Sequence, residues 1–267
     1  MSALETYVIG WHVSVHAIAD LCGELSAEEW ASPTDCPRWS VRDVVAHVAG
    51  VEAMLAGTWT APVTVAATGG KVVSPDYTEA GVAALRDRSF EALELLLREA
   101  VARRETQLDP LPDDPASLAP STPAGVSWSW AMLLQNRAID VWVHEQDIRR
   151  ATNRPGGLDS TGAQVTATSF AAAMAYVLGK RVAPAAGMQV VWEITGPSGF
   201  TVSLRVGEDG RAAEQQDTAD ADTRLAMDLE TFTVLAAGRR TADQVDVDVS
   251  GDRFLAGRVL AAMAVTP

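Results

Sequence analysis

The sequence predicts a helical bundle over residues 1–155 followed by a smaller α+β domain over 156–267. Four long segments before residue 151 carry apolar side chains at helical spacing. The connections within that part are rich in Pro, Gly and Thr, as loops are. Beyond the turn-rich joint Thr152-Asn-Arg-Pro-Gly-Gly-Leu158, helical and period-2 segments alternate, which is the pattern of an α+β domain. A chain of 267 residues is long enough to give each part its own core.

The first helix runs from about Leu4 to Leu25, because Leu4, Tyr7, Val8, Trp11, Val15, Ile18, Cys22 and Leu25 share one side. His12 and His16 stand four apart on the flank of that face, as edge histidines or as further ligands to an internal site. The second helix starts at Ser40, a natural N-cap with Asp43 in the position of a capping-box acid. On its wheel His47 lies beside Val44, Val51 and Met54 and points inward.

A loop from Gly57 to Pro75 precedes a third helix from about Tyr77 to Gln107, with the stripe Val82, Leu85, Phe90, Leu93, Leu96, Leu97, Ala100 and Val101. Arg86 falls inside that stripe, either snorkelling to the surface or holding an anion. Prolines 110, 112, 115, 120 and 123 forbid a helix between Leu108 and Ser127. Trp128 and Trp130 at the exit of that loop line a pocket beneath it or pack where the fourth helix begins.

The fourth helix carries polar groups where a core belongs. Asp140, His144 and Asp147 fall in one sector, flanked by Ile139 and Val143 on one side and Val141 and Ile148 on the other. Ala138, Glu145, Gln146 and Arg149 on the opposite face read as the solvated side. A carboxylate and an imidazole among aliphatics cost several kcal/mol unless they pair or bind a cation. Asp140 and His144 therefore form a hydrogen-bonded core pair or hold one metal ion. With His47 they make one carboxylate and two imidazoles from two helices, a count that leaves an ion with open positions.

In the second part, a helix from Ser160 to Val182 leads to strands at Met188–Thr195 and Phe200–Val206, joined by the turn at 196–199. Asp222–Leu229 and Val245–Val249 read as further strands, Thr231–Gly238 as a short helix and Asp252–Ala264 as a closing one. The formal charge of −14 disfavours nucleic acid and anionic membrane surfaces as partners. No run approaches the ~18 apolar residues of a membrane span, and no secretory pattern opens the chain, so the expected location is cytoplasmic. A monomer or small homo-oligomer acting on small molecules is the expectation. Cys22 and Cys36 are too few for a disulfide framework and read as small buried hydrophobes.

Pro33-Thr-Asp-Cys36-Pro-Arg-Trp39-Ser-Val-Arg-Asp-Val-Val-Ala-His47, together with Asp140-x-x-x-His144, resembles the mycothiol-dependent maleylpyruvate isomerase family. Leu235-Ala-Ala-Gly238-Arg239-Arg240 and Gly251-Asp252 are similar to that family's ending. The resemblance implies a DinB-like four-helix bundle followed by a sterol-carrier-like domain. It also implies a divalent metal, usually zinc, on His47, Asp140 and His144, and mycothiol as thiol cosubstrate in an isomerase or S-transferase reaction. The isomerase carries Glu where this chain has the shorter Asp140. Asp147 is expected to orient a ligand, to act as a base or to pair with Arg150. Arg86 and Arg239 are the expected anion contacts for thiol and electrophile. Two other readings are a non-enzymatic carrier of an apolar ligand and a binding protein whose ion only adds folding energy.

Overall fold

A computed structural model describes residues 1–62, 73–196 and 198–266. Part of the Gly57–Pro75 loop and Pro197 of the 196–199 turn lie outside the described residues. The chain divides into two compact units, Met1–Val165 and Thr166–Pro267.

In the first unit, α1 (Ala3–Glu24) opens with a capping box between Ser2 and Glu5 and buries Leu4, Trp11, Val15, Ile18 and Cys22, the stripe its period predicts. Burial pushes the Cys22 thiol up to about 12, so it is inert. A one-turn helix, α2 (Ala27–Trp30), follows, opened by a capping box between Ser26 and Glu29; four residues are too few to show a period. Helix α3 (Val41–Leu55) begins at Ser40, whose hydroxyl accepts from the Asp43 amide while Asp43 accepts from the Ser40 amide at 2.9 Å.

The predicted third helix is two helices, α4 (Pro75–Leu85) and α5 (Phe90–Gln107). Ser89 causes the restart: its hydroxyl accepts from the Ala92 amide at 3.2 Å and satisfies a first-turn donor that a continuous helix would have paired with backbone. The apolar stripe hides the break because Leu85 and Leu93, on either side, enter the same core.

Helix α6 (Trp130–Ala151) completes the unit. It packs on α1 and α3, and α5 packs on the same two helices, so four long helices close around Trp11, Ile18, Val44, Leu97, Leu134, Val141 and Ile148. Trp128 is buried with Leu55 and Leu133, and Trp130 packs beside them where the helix begins.

One expectation for α6 is corrected. Ala138, Glu145 and Gln146 are buried: α1 packs over Ala138 through Gly10, and the segment after the helix folds back over Glu145 and Gln146. Trp142 Nε1 donates to the Gly157 carbonyl at 3.0 Å and Gln146 Nε2 to that of Gly156 at 3.1 Å. Gly157, at φ +74°, lies so near that a Cβ would stand 2.6 Å from Glu145 Oε1.

Helix α7 (Thr161–Tyr176) begins in the first unit and, past Tyr176, continues as a π-helical turn to Val182. The second unit is built on a five-stranded sheet in the order β3-β2-β1-β4-β5. Strands β1 (Gln189–Thr195) and β2 (Phe200–Val206) form the predicted hairpin, with Val191 opposite Ser203. Strand β4 (Thr223–Asp228) runs parallel to β1, which a crossover connection requires. The three-residue β3 (Ala212–Glu214) is too short to alternate visibly, and β5 (Asp248–Gly251) lies slightly later than the Val-Asp-Val-Asp-Val run suggests. Helix α8 (Leu229–Ala236) contributes the buried Phe232 against the β1 side, and α9 (Arg253–Ala262) closes the unit against β4. Among the described residues no helix is long and apolar enough to cross a membrane.

Candidate metal centre

His47 comes from the middle of α3, and Asp140 and His144 from successive turns of α6. The packing of these two helices brings the three side chains together. His47 Nε2 lies 3.3 Å from Asp140 Oδ2 and His144 Nε2 lies 3.8 Å from Asp140 Oδ1. One ligand atom from each residue falls within 4.8 Å of the others. A tetrahedral ion with bonds of about 2.0–2.1 Å has donor atoms roughly 3.3–3.4 Å apart, so the observed spacing needs only small adjustment to admit one.

The tautomers also fit. His144 Nδ1 lies 3.1 Å from Asp147 Oδ2 and donates to it, which leaves the Nε2 lone pair facing Asp140. Asp147 is fully buried and is itself held by Arg150, whose Nη2 donates to Oδ1 at 2.7 Å. Arg150 Nε in turn donates to Asp35 Oδ2 at 2.7 Å. The turn before α3 thus braces the imidazole through Asp35, Arg150 and Asp147. Trp39 stands over the site, with its ring 5.2 Å from that of His47 and 5.8 Å from that of His144.

Asp140 is held from its other side by Arg137, whose Nη1 donates to Oδ2 at 2.8 Å. Arg137 Nε donates to Glu52 Oε1 at 2.9 Å, and Arg104 Nε stands 3.7 Å from Glu52 Oε2, an ion-pair distance. All three of these residues are buried. Sequence reasoning did not find this network. The readable signals were Glu52 inside the apolar run Val51-Glu-Ala-Met-Leu55 and Arg137 one turn before Asp140.

Burial pushes the Asp140 carboxyl up, but Arg137, His47 and His144 outweigh it and hold it well below the usual carboxylate range. Burial pushes the His47 imidazole down, against the pull of Asp140, so it is neutral near pH 7. A neutral imidazole beside an ionised carboxylate is the state a metal requires. The Asp140 side chain is 26% exposed, which leaves one side of the cluster open to a small molecule.

The other expected site residues stand elsewhere. Arg86 does not face the helical interior: at the end of α4 its side chain is 42% exposed and pairs with Asp43 at 2.8 Å and Glu79 at 3.2 Å. Its position in the stripe misled because the helix ends there. Arg239 lies in the second unit, where Nη1 donates to the Ala237 carbonyl at 3.3 Å. His12 and His16 form a separate group with Glu105 and do not join His47.

Residues 11–149 match the family described as the mycothiol maleylpyruvate isomerase N-terminal domain. A crystal structure of the mycothiol-dependent maleylpyruvate isomerase is similar over 94% of this chain and 93% of its own, with a TM-score of 0.58 at 20% identity. The structure of a histidine-to-alanine mutant of that isomerase gives 0.55 and 19% over the same spans. At such identity the likeness is one of fold. No curated protein matches the chain.

Proposed function

The chain belongs to the mycothiol maleylpyruvate isomerase N-terminal domain family, and from that premise we propose that it is a metal-dependent enzyme using mycothiol as nucleophile, an isomerase of the maleylpyruvate type or an S-transferase. The observation that carries the proposal is the convergence of His47, Asp140 and His144, with His144 fixed in its ligating tautomer by Asp147. In this reading the helical unit is a DinB-type bundle and the sheet unit is sterol-carrier-like.

His47, Asp140 and His144 would hold the ion; two imidazoles and one carboxylate suit several divalent ions, and zinc is the one the family resemblance implies. When bound, such an ion supplies Lewis acidity that brings a thiol, titrating near ~8.5 when free, to its nucleophilic form at neutral pH. The protein's own work is positional. Asp147 keeps the His144 proton on Nδ1, and Arg137, anchored by Glu52, aims the Asp140 carboxylate. Trp39 shields one face of the imidazoles from water and leaves the Asp140 side open to substrate. Addition of the thiol sulfur to an activated double bond, rotation about the resulting single bond and elimination of the same thiol returns the geometric isomer; retention of the sulfur gives a thioether.

Asp147 acts here through His144 and does not touch substrate. The two carboxylates on Arg86 already satisfy its charge, so its role is to tie α4 to the start of α3. Arg239 remains the proposed anion contact of the second unit, and Arg239→Ala should raise the apparent KM for the thiol.

Elemental analysis of the untagged protein beside His47→Ala and His144→Ala tests the centre, and turnover of maleylpyruvate with mycothiol tests the chemistry. We expect one metal equivalent to disappear in both variants while their circular dichroism is unchanged, and turnover to vanish on chelation and return with zinc. Turnover that survives complete metal removal would sink the proposal.

A further inference from the structure

We propose that the first unit carries a second divalent-cation site, formed by His12 and His16 of α1 with Glu105 of α5, that takes a borderline transition ion such as Zn2+, Ni2+ or Cu2+. The two histidines are one helical turn apart, with ring centroids separated by 4.4 Å. His12 Nδ1 stands 2.9 Å and His16 Nε2 2.8 Å from the same carboxylate oxygen, Glu105 Oε1. Two imidazoles on one helix therefore converge, through different ring nitrogens, on a single point supplied by another helix. The three ligand atoms lie within 4.8 Å of one another, as those of the first centre do.

The backbone beneath the group is fixed. Trp11 and Val15, beside His12 and His16, are buried in the core, and so is Arg104, beside Glu105. The ligands thus project from anchored positions, and little backbone freedom is lost when they close on an ion. Their tips remain accessible, at 51%, 43% and 37% exposure for His12, His16 and Glu105, so an ion can enter without unfolding.

A cavity of about 570 Å3 lined by Glu5, Trp11, His12, Glu105, Leu108 and Asp109 opens beside the cluster, with room for water as a fourth ligand and an acidic lining that favours a cation. Imidazole donors select Zn2+, Ni2+ and Cu2+ over Mg2+ and Ca2+. None of His47, Asp140 and His144 lines that cavity, and the two groups share no residue. An ion here braces α1 against α5, so its consequence is stability, independent of the chemistry at the first centre.

The test is equilibrium dialysis of the untagged full chain against zinc, with metal measured by elemental analysis and melting followed with and without the ion. Wild type should saturate at about two equivalents, and His12→Ala/His16→Ala and Glu105→Ala should each bind about one fewer. His47→Ala should lose a different equivalent and keep a zinc-dependent rise in melting temperature, and that rise should vanish when His12→Ala/His16→Ala is added to it. His12 is exposed and His16 and Glu105 are half-buried at the surface, so these variants should fold. Wild-type stoichiometry in either the double variant or Glu105→Ala, or no zinc at all in His47→Ala, overturns the site.

Discussion

At Asp140 and His47 burial and charge work against each other, and the balance sets how the protein responds to acid. Both groups titrate lower in the folded chain than in the unfolded one. Asp140 therefore contributes stability that is present above the unfolded value near ~3.9 and is lost as pH falls through the folded value. His47 has the same sign in a higher window: below about 6.5 the unfolded chain takes a proton that the native site refuses, so metal-free protein weakens on acidification until the folded value is passed. Glu145, pushed up by burial, works in the opposite direction, so the informative comparison is with His47→Gln. Urea midpoints of metal-free protein should fall between about pH 7.5 and pH 5.5, and fall less in the variant; equal falls would remove His47 as the cause. Glu52→Ala leaves the Arg137 and Arg104 guanidinium groups buried without their shared carboxylate, and should cost about 3–5 kcal/mol in chemical denaturation. Asp147→Asn should weaken zinc binding by roughly 10–100-fold in chelator competition, because an amide no longer fixes the His144 tautomer. At this scale the sequence showed His47, Asp140 and His144 through helical period alone. It did not show the Glu52–Arg137–Arg104 network, because each charge taken singly reads as a solvated residue until its partners from other helices are in place.

Among the elements, α1 and the start of α7 approach each other through glycine. A Cβ on Gly162 would stand 2.5 Å from Ser14 Oγ and 3.0 Å from Trp142 Cδ1, beside the Gly10 carbonyl at 3.2 Å. Gly162→Ala should therefore destabilise by about 1–3 kcal/mol, read as a lowered urea midpoint, and a neutral result would show that α7 can shift outward. Ser89→Ala removes the cap that starts α5 and should cost about 1 kcal/mol. The stripe predicts one continuous third helix because it reports which face is buried and carries no information about a break that a hydroxyl makes between two segments of the same face. The one-turn α2 and the three-residue β3 are set by caps and by a neighbouring strand, and neither is long enough to carry a period.

For the molecule as a whole, an ion that binds the folded state alone shifts the folding equilibrium by mass action. Zinc at about 100 times its dissociation constant should stabilise the protein by roughly 2.7 kcal/mol per site, seen as a rise in melting temperature that a chelator reverses. An unchanged melting temperature at saturating zinc would mean that the clusters are hydrogen-bonded groups without affinity for the ion.

The sequence by itself determined the order of the elements, the helical first unit followed by a sheet unit, and the inward face of each long helix, on which His47, Asp140 and His144 lie. These are local properties, since spacing along one helix fixes which side chains share a face before any partner is present. Only the tertiary structure decided that the second face of α6 is covered, that Arg86 is spent on Asp43 and Glu79, and that His12 and His16 converge on Glu105 away from His47. Each of these outcomes depends on which surface packs against which, and residues distant in sequence reach contact distance only when the core closes.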